Sequence, residues 1–151
     1  MGEGGRLFGQ LQQLWSHASV PTKRKLGIYM ACVVSKLLYS LESLWLLKAD
    51  LSRLEAFHCR YLRRILHIPH SYISRISNAT VLERADLPTL SSLLHERQKG
   101  LYRRISLQPR GSFVKTVICD EAGHPINWSV WRRRGRPRQR WSLEVFKMMD
   151  A

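Results

Sequence analysis

The stretch Leu51-Ser-Arg-Leu-Glu-Ala-Phe-His-Cys-Arg-Tyr-Leu-Arg-Arg-Ile-Leu-His-Ile68 decides how this chain folds. On a helix turning about 100° per residue, Leu51, Leu54, Phe57, Tyr61, Leu62, Ile65, Leu66 and Ile68 fall in one half of the wheel. Arg53, Arg60, Arg63, Arg64 and His67 fall in the other. The first half needs a core and the second suits anions. Asp50 stands at the expected N-cap, where its carboxylate would accept from the free amides of the first turn. Pro69, with no N–H to continue the ladder, is expected to stop the helix. A solvated face is the plain reading of such arginines. Here only Glu55 offsets them, and the i to i+4 repulsion between Arg60 and Arg64 costs a few tenths of a kcal/mol. A face under no binding demand would usually mix in acids.

Working outward, the chain has 151 residues, 44% of them hydrophobic, enough for one domain with a core. Its 25 Lys and Arg face 11 Asp and Glu, a net charge of +14, and six of those cations lie within Arg132–Arg140. Such an imbalance points to a phosphate-bearing partner or an anionic surface. Cys32, Cys59 and Cys119 are odd in number and widely spaced, so a disulfide framework is not expected. No apolar run follows the N-terminus, so secretion is not expected either.

In chain order, residues 1–5 are Gly-rich and expected to be loose, and Leu7, Phe8, Leu11, Leu14 and Trp15 then recur at helical spacing. Pro21 and Thr22 give a turn and an N-cap before an apolar segment from Leu26 to Leu47. About 20 apolar residues can span a bilayer. Lys36 and Glu42 inside the segment would each cost about 2.5–3.5 kcal/mol there, so a buried helix of a non-membrane domain is expected. After Pro69, Asn78 is the expected cap of a short helix to about Arg84, although Asn78-Ala79-Thr80 also matches the glycosylation acceptor pattern. Leu90, Leu93, Leu94, Leu101 and Ile105 form a further stripe, ended by Pro109. Arg97 and Arg104 intrude on it, so they either pair with acids such as Glu42 or snorkel.

Val114, Val117 and Ile118 fit a helix or a short strand, and 122–126 reads as a loop. Trp141 to Met149 reads as a last amphipathic turn or two capped by Ser142. The expected fold is therefore all-α: a small bundle of four to five helices with a basic, partly irregular C-terminal tail. Its expected divisions are 1–21 (short helix and linker), 22–108 (helical domain) and 109–151 (basic connector).

Metal-dependent polymerases and nucleases need converging carboxylates. Only Asp120 and Glu121 are adjacent acids, in a loop-like context, and no phosphate-binding loop or nucleophile motif is present. No catalytic residue and no cofactor is expected. His58, Cys59, His67 and His70 lie close in sequence but lack the tight pairing of zinc sites, so no metal site is expected. The strongest local motif is Arg132-Arg133-Arg134-Gly135-Arg136-Pro137-Arg138-Gln139-Arg140. Gly135 holds nothing between backbone and groove floor, Pro137 fixes φ, and the flanking arginines suit a narrow A·T-rich minor groove. This core resembles the AT-hook; an import signal or a general phosphate-binding tail are its alternatives.

Several blocks, Lys25-Leu26-Gly27-Ile28-Tyr29, Leu37-Leu38-Tyr39-Ser40-Leu41-Glu42-Ser43-Leu44-Trp45, Arg53–Leu66 and Arg134-Gly135-Arg136-Pro137-Arg138-Gln139-Arg140-Trp141, stand in an order that resembles the segment after the palm in reverse transcriptases of non-LTR (LINE-type) retrotransposons. The resemblance covers residues 7–145. It implies a helical thumb and connector that grips an RNA–DNA or DNA duplex, or element RNA. It also implies fingers and a palm upstream of Met1 that hold the Mg²⁺ carboxylates, and a nuclear or cytoplasmic ribonucleoprotein location. Ser40 stands where the family usually has Gly, and Arg103-Arg104 where many members have Gly-His. The competing class is a protein-interaction module whose apolar faces meet a lost palm or a second copy, with the basic tail as an import signal.

Overall fold

The computed structural model describes residues 2–17, 19–126 and 139–150. Among them the chain is all-α, as expected, with no strand and one isolated antiparallel bridge between Cys119 and Pro125. The elements are α1 (Gly2–His17), α2 (Thr22–Tyr29), a π-helical turn (Met30–Val34), α3 (Ser35–Leu37), a 3-10 turn (Leu41–Ser43) and α4 (Lys48–Ile65). Then follow α5 (Ser71–Ser74), α6 (Asn78–Ala85), α7 (Leu90–Ser106), α8 (Phe113–Ile118) and α9 (Trp141–Asp150). No helix among the described residues is long and apolar enough to cross a membrane. Packing groups the chain into two compact units, Met1–Tyr39 with Leu47–Leu93, and Ser40–Leu46 with Leu94–Ala151. These units do not follow the divisions expected after residues 21 and 108.

The first unit is built around α4. The Gly-rich start of the chain, expected to be loose, is instead the first turn of α1. A Cβ on Gly4 would stand 3.1 Å from Phe57 Cζ, and one on Gly5 would stand 3.0 Å from the Tyr61 hydroxyl. The missing side chains let α1 cross α4 closely. Phe8 then packs its ring 4.2 Å from that of Tyr61 and 6.0 Å from that of Tyr29. Tyr29 and His58 are fully buried and share a hydrogen bond of 2.9 Å through the hydroxyl and Nδ1. Glu55 Oε1 accepts from the Ser91 amide (2.7 Å) and hydroxyl (2.6 Å), so a carboxylate of α4 caps the N-terminus of α7, where the helix dipole favours an anion.

Several expected boundaries shift for local reasons. The N-cap of α4 is Leu47, and Asp50 lies within the first turn, where it pairs with Arg53 at 3.3 Å. Its C-terminus comes before Pro69. His67 takes a left-handed conformation (φ 54), and the Ile68 and His67 amides return to the carbonyls of Arg63 (2.8 Å) and Arg64 (3.4 Å). This is a Schellman ending, usually made with Gly. Pro21, rather than Thr22, caps α2, and Ser77, rather than Asn78, caps α6, its hydroxyl accepting from the Thr80 amide. The segment Leu26–Leu47 is not one helix: it passes through the π turn and ends at Leu37, and Ser40 follows with φ 64.

In the second unit Tyr102, Ile105, Cys119 and Val145 form the core, with Trp45, Trp141 and Phe146 packed against it. Trp141 Nε1 donates to the Glu42 carbonyl (2.7 Å), Gln98 Nε2 to the Leu44 carbonyl (2.6 Å), and the Tyr102 hydroxyl to the Gly123 carbonyl (2.9 Å). These bonds settle an irregular segment onto the unit's helices. Arg104 does approach Glu42, at 3.9 Å, as an exposed pair. Residues 113–118 are helical, and α9 begins at Trp141, which puts Ser142 inside it rather than at its cap. All three cysteines are free, Cys59 and Cys119 buried.

Two outcomes follow from these environments. Ser40→Gly should raise stability by about 1 kcal/mol, because a left-handed position is strained for any residue with a Cβ; a lower urea midpoint would contradict the strain. Burial holds His58 below its ordinary value, outweighing the Glu55 carboxylate and the Pro88 carbonyl, which favour protonation. The unfolded chain therefore takes up this proton first. The stability contributed by a neutral His58 is complete above about pH 6.5 and declines as pH falls from there toward the lowered native value. Urea midpoints measured from neutral to mildly acidic pH should fall, and His58→Gln should flatten that slope.

Candidate nucleic-acid interface

The expected basic face of α4 exists, but it is narrower than the wheel suggested. Arg53, Arg60 and Arg64 are exposed, at i, i+7 and i+11, so they lie within about 40° of one another at helical pitch. They span roughly 16 Å of helix axis. Arg53 shares its charge with Asp50, its side chain still 73% exposed. The Arg64 guanidinium lies 5.5 Å from the Tyr61 ring centre. Arg60 and Arg64 form no ion pair among the described residues, and His67, exposed, continues the line beyond the helix end. Arg64 also sits in the last turn, where the dipole favours a cation.

Arg63 is the correction. It was placed with the anion-binding arginines, yet it is 6% exposed. Its Nη2 donates to the Ile76 carbonyl (2.6 Å) and Asn78 Oδ1 (3.1 Å), and its Nη1 to Ser74 Oγ (3.4 Å) and the Pro69 carbonyl (3.5 Å). All four acceptors are neutral. The planar fork suits this task, since its donors point in fixed directions and can gather a loop's carbonyls. The cause is visible on the wheel: Arg63 lies at the edge of the polar half, beside Cys59, and residues 69–78 fold back over that edge. Sequence periodicity reports a helix face and not what a later segment lays upon it.

Of the tail residues, Arg132, Arg133, Arg134, Gly135, Arg136, Pro137 and Arg138 lie outside the described residues. Arg140 is described, half-buried, and its carbonyl accepts from the Glu144 amide at the start of α9. His58, Cys59, His67 and His70 do not converge: the first two are buried, and His70 is exposed and stacked on Tyr72. No group of three or more His, Cys, Asp or Glu among the described residues could hold a metal ion. Asp120 and Glu121 serve their own turn, pairing with His124 (3.6 Å) and Arg110 (3.6 Å).

Sequence reasoning missed a second basic cluster. Thr22-Lys-Arg-Lys25 forms the start of α2 with no acid in the first turn. The helix dipole disfavours cations there, by a few tenths to about 1 kcal/mol each at an exposed site. The signal is present in the sequence as the consecutive cations Lys23-Arg24-Lys25 after Thr22. Lys25, Arg64 and His67 together border a cavity of about 170 Å³ whose depth is formed by the buried Phe8 and Ile65.

Replacing Arg63 should separate structure from binding. Arg63→Met leaves loop carbonyls unpaired and should lower stability by about 2–4 kcal/mol, whereas Arg60→Gln on the open stripe should stay within about 0.5 kcal/mol. Equal urea midpoints for the two variants would contradict the assigned roles. Comparisons with protein-family models, with curated proteins and with solved structures found no match for this chain.

Proposed function

We propose that this chain is a non-catalytic nucleic-acid-binding module, the thumb-like and connector part of a reverse transcriptase of the non-LTR type. One observation carries the reading: Arg53, Arg60 and Arg64 line the solvent side of a helix whose other faces are buried. Seven of the eleven acids are engaged elsewhere, Glu42 with Arg104 and Glu96 with Lys99 among them. Glu3 pairs with Lys36, Asp120 with His124, Glu121 with Arg110 and Glu144 with Lys147, while Glu55 caps α7. The chain as a whole carries a net charge of +14. In this reading the contacts go to phosphates, giving affinity without sequence choice. The metal-binding carboxylates would belong to a palm, and the Arg-Gly-Arg-Pro tail would add backbone or minor-groove contacts and a route to the nucleus.

The backbone at Ser40 supports the resemblance. Its φ of 64 is the left-handed conformation that glycine takes most easily, and the family usually carries glycine at that place. A competing reading, a protein-docking module, draws on the exposed apolar side chains Leu107, Phe113, Val114 and Val117 of the second unit.

The test is affinity for an RNA–DNA hybrid and for duplex DNA across a salt series. Three phosphate contacts from the α4 stripe predict a log–log slope of about −3 from this helix alone, and more with the tail. The double variant Arg60→Glu, Arg64→Glu should reduce the steepness by about two and weaken binding to every sequence alike. A flat salt response would remove the proposal and leave the docking module.

A further inference from the structure

The cavity beside the α4 stripe brings aromatic and apolar side chains together with three basic ones. It holds about 170 Å³, and a cavity of about 150 Å³ is enough for one benzene ring. Its walls are apolar and aromatic. Phe8 and Ile65 are buried, and Trp15, half-buried, meets Phe8 in a T-shaped contact with 5.8 Å between ring centres. Gln12, exposed, brings an amide that can both donate to and accept from a base edge. The mouth carries Lys25, Arg64 and His67, none of which forms an ion pair among the described residues.

An aromatic wall with a cationic rim distinguishes among occupants. An aliphatic ligand would use the walls and leave the cations idle. A bare anion would use the cations and leave Trp15 idle. A nucleotide unit of an unpaired strand uses both, because its base has a π-face and it carries a phosphate. Base–aromatic stacking of this kind is worth about 1–3 kcal/mol per base.

We infer that this pocket takes one unstacked base of single-stranded nucleic acid, stacked on Trp15, with the adjoining phosphate held by Lys25, Arg64 and His67. The inference rests on the phosphate-binding reading above and adds to it. The α4 stripe gives affinity for any polyanion, and the pocket adds a preference for a strand whose bases are free.

The experiment measures the full chain against three probes: a short oligothymidylate, an abasic strand of the same length, and a duplex. The unaltered chain should prefer oligothymidylate over the abasic strand by roughly tenfold. Trp15→Ala should abolish that preference while leaving abasic-strand and duplex affinity unchanged, and Trp15→Phe should keep most of it. Because Trp15 also packs on Phe8, a second measurement uses the unaltered chain: an oligonucleotide carrying iodouracil, which photo-crosslinks to stacked aromatic side chains, should attach at Trp15 or Phe8. Salt-dependent binding that ignores the presence of bases, or crosslinks confined to other residues, overturns the pocket and leaves the phosphate reading standing. Absence of salt-dependent binding to all three probes removes both.

Discussion

Helix α4 is enclosed on all but one narrow arc, and the properties of the first unit depend on that enclosure. Gly4 and Gly5 let α1 lie against Phe57 and Tyr61. Tyr29 of α2 meets His58, Glu55 caps α7, and Arg63 gathers residues 69–78. Each contact uses a different side of the same helix, so the buried arc is wider than the apolar one. Beyond the first turn, what remains to solvent is Ser52 and the line of Arg53, Ala56, Arg60 and Arg64. A hydrophobic stripe alone would leave half the helix open. It is the polar contacts at the margins of the stripe that narrow the opening and put its cations in single file.

Those marginal contacts carry a physical demand of their own. His58 Nε2 and Glu55 Oε2 are buried without a well-formed hydrogen bond among the described residues, the Pro88 carbonyl being close enough to His58 only to favour its protonation, and a buried polar atom left unpaired costs about 1–3 kcal/mol. The unit tolerates this because each group is satisfied on its other atom by a contact that joins two helices. Arg63 shows the same trade in a charged group. Its guanidinium has no carboxylate within ion-pair distance among the described residues, and four neutral acceptors stand in for water. Counting arginines therefore overstates the charge available for a ligand, since one of the four on α4 belongs to the fold.

The helices were legible in the sequence because their apolar period is regular: α4, α6 and α7 lie within a few residues of their expected bounds. Boundaries were less legible where tertiary contacts took over the cap. Asp50 looks like an N-cap by type, yet it pairs with Arg53 one turn inside the helix. At the other end of α4, Pro69 looks like the terminator, while His67 ends the helix by a backbone conformation that its residue type does not announce. The glycines at the start of the chain suggest looseness until a partner helix is present to need their thinness. Of the candidate site, the stripe was legible and the fate of Arg63 was not. The pocket was invisible because Trp15, Lys25 and His67 come from three segments that only the fold brings together.

Some of the local rules that this sequence breaks are broken beside that pocket, although the left-handed Ser40, Arg75 and Asp86 do not line it. Lys23, Arg24 and Lys25 crowd a helix start that the dipole would rather see acidic. Arg60 and Arg64 repel one another one turn apart, a cost partly offset at Arg64 by the helix end. His67 occupies a left-handed position that asparagine or glycine would take with less strain. Three of these residues, Lys25, Arg64 and His67, meet at one cavity mouth. Local inconsistency of this kind is expected where binding rather than folding sets the residue. On the phosphate-binding reading proposed above, an anion seated there would face Lys25, Arg64 and His67 together.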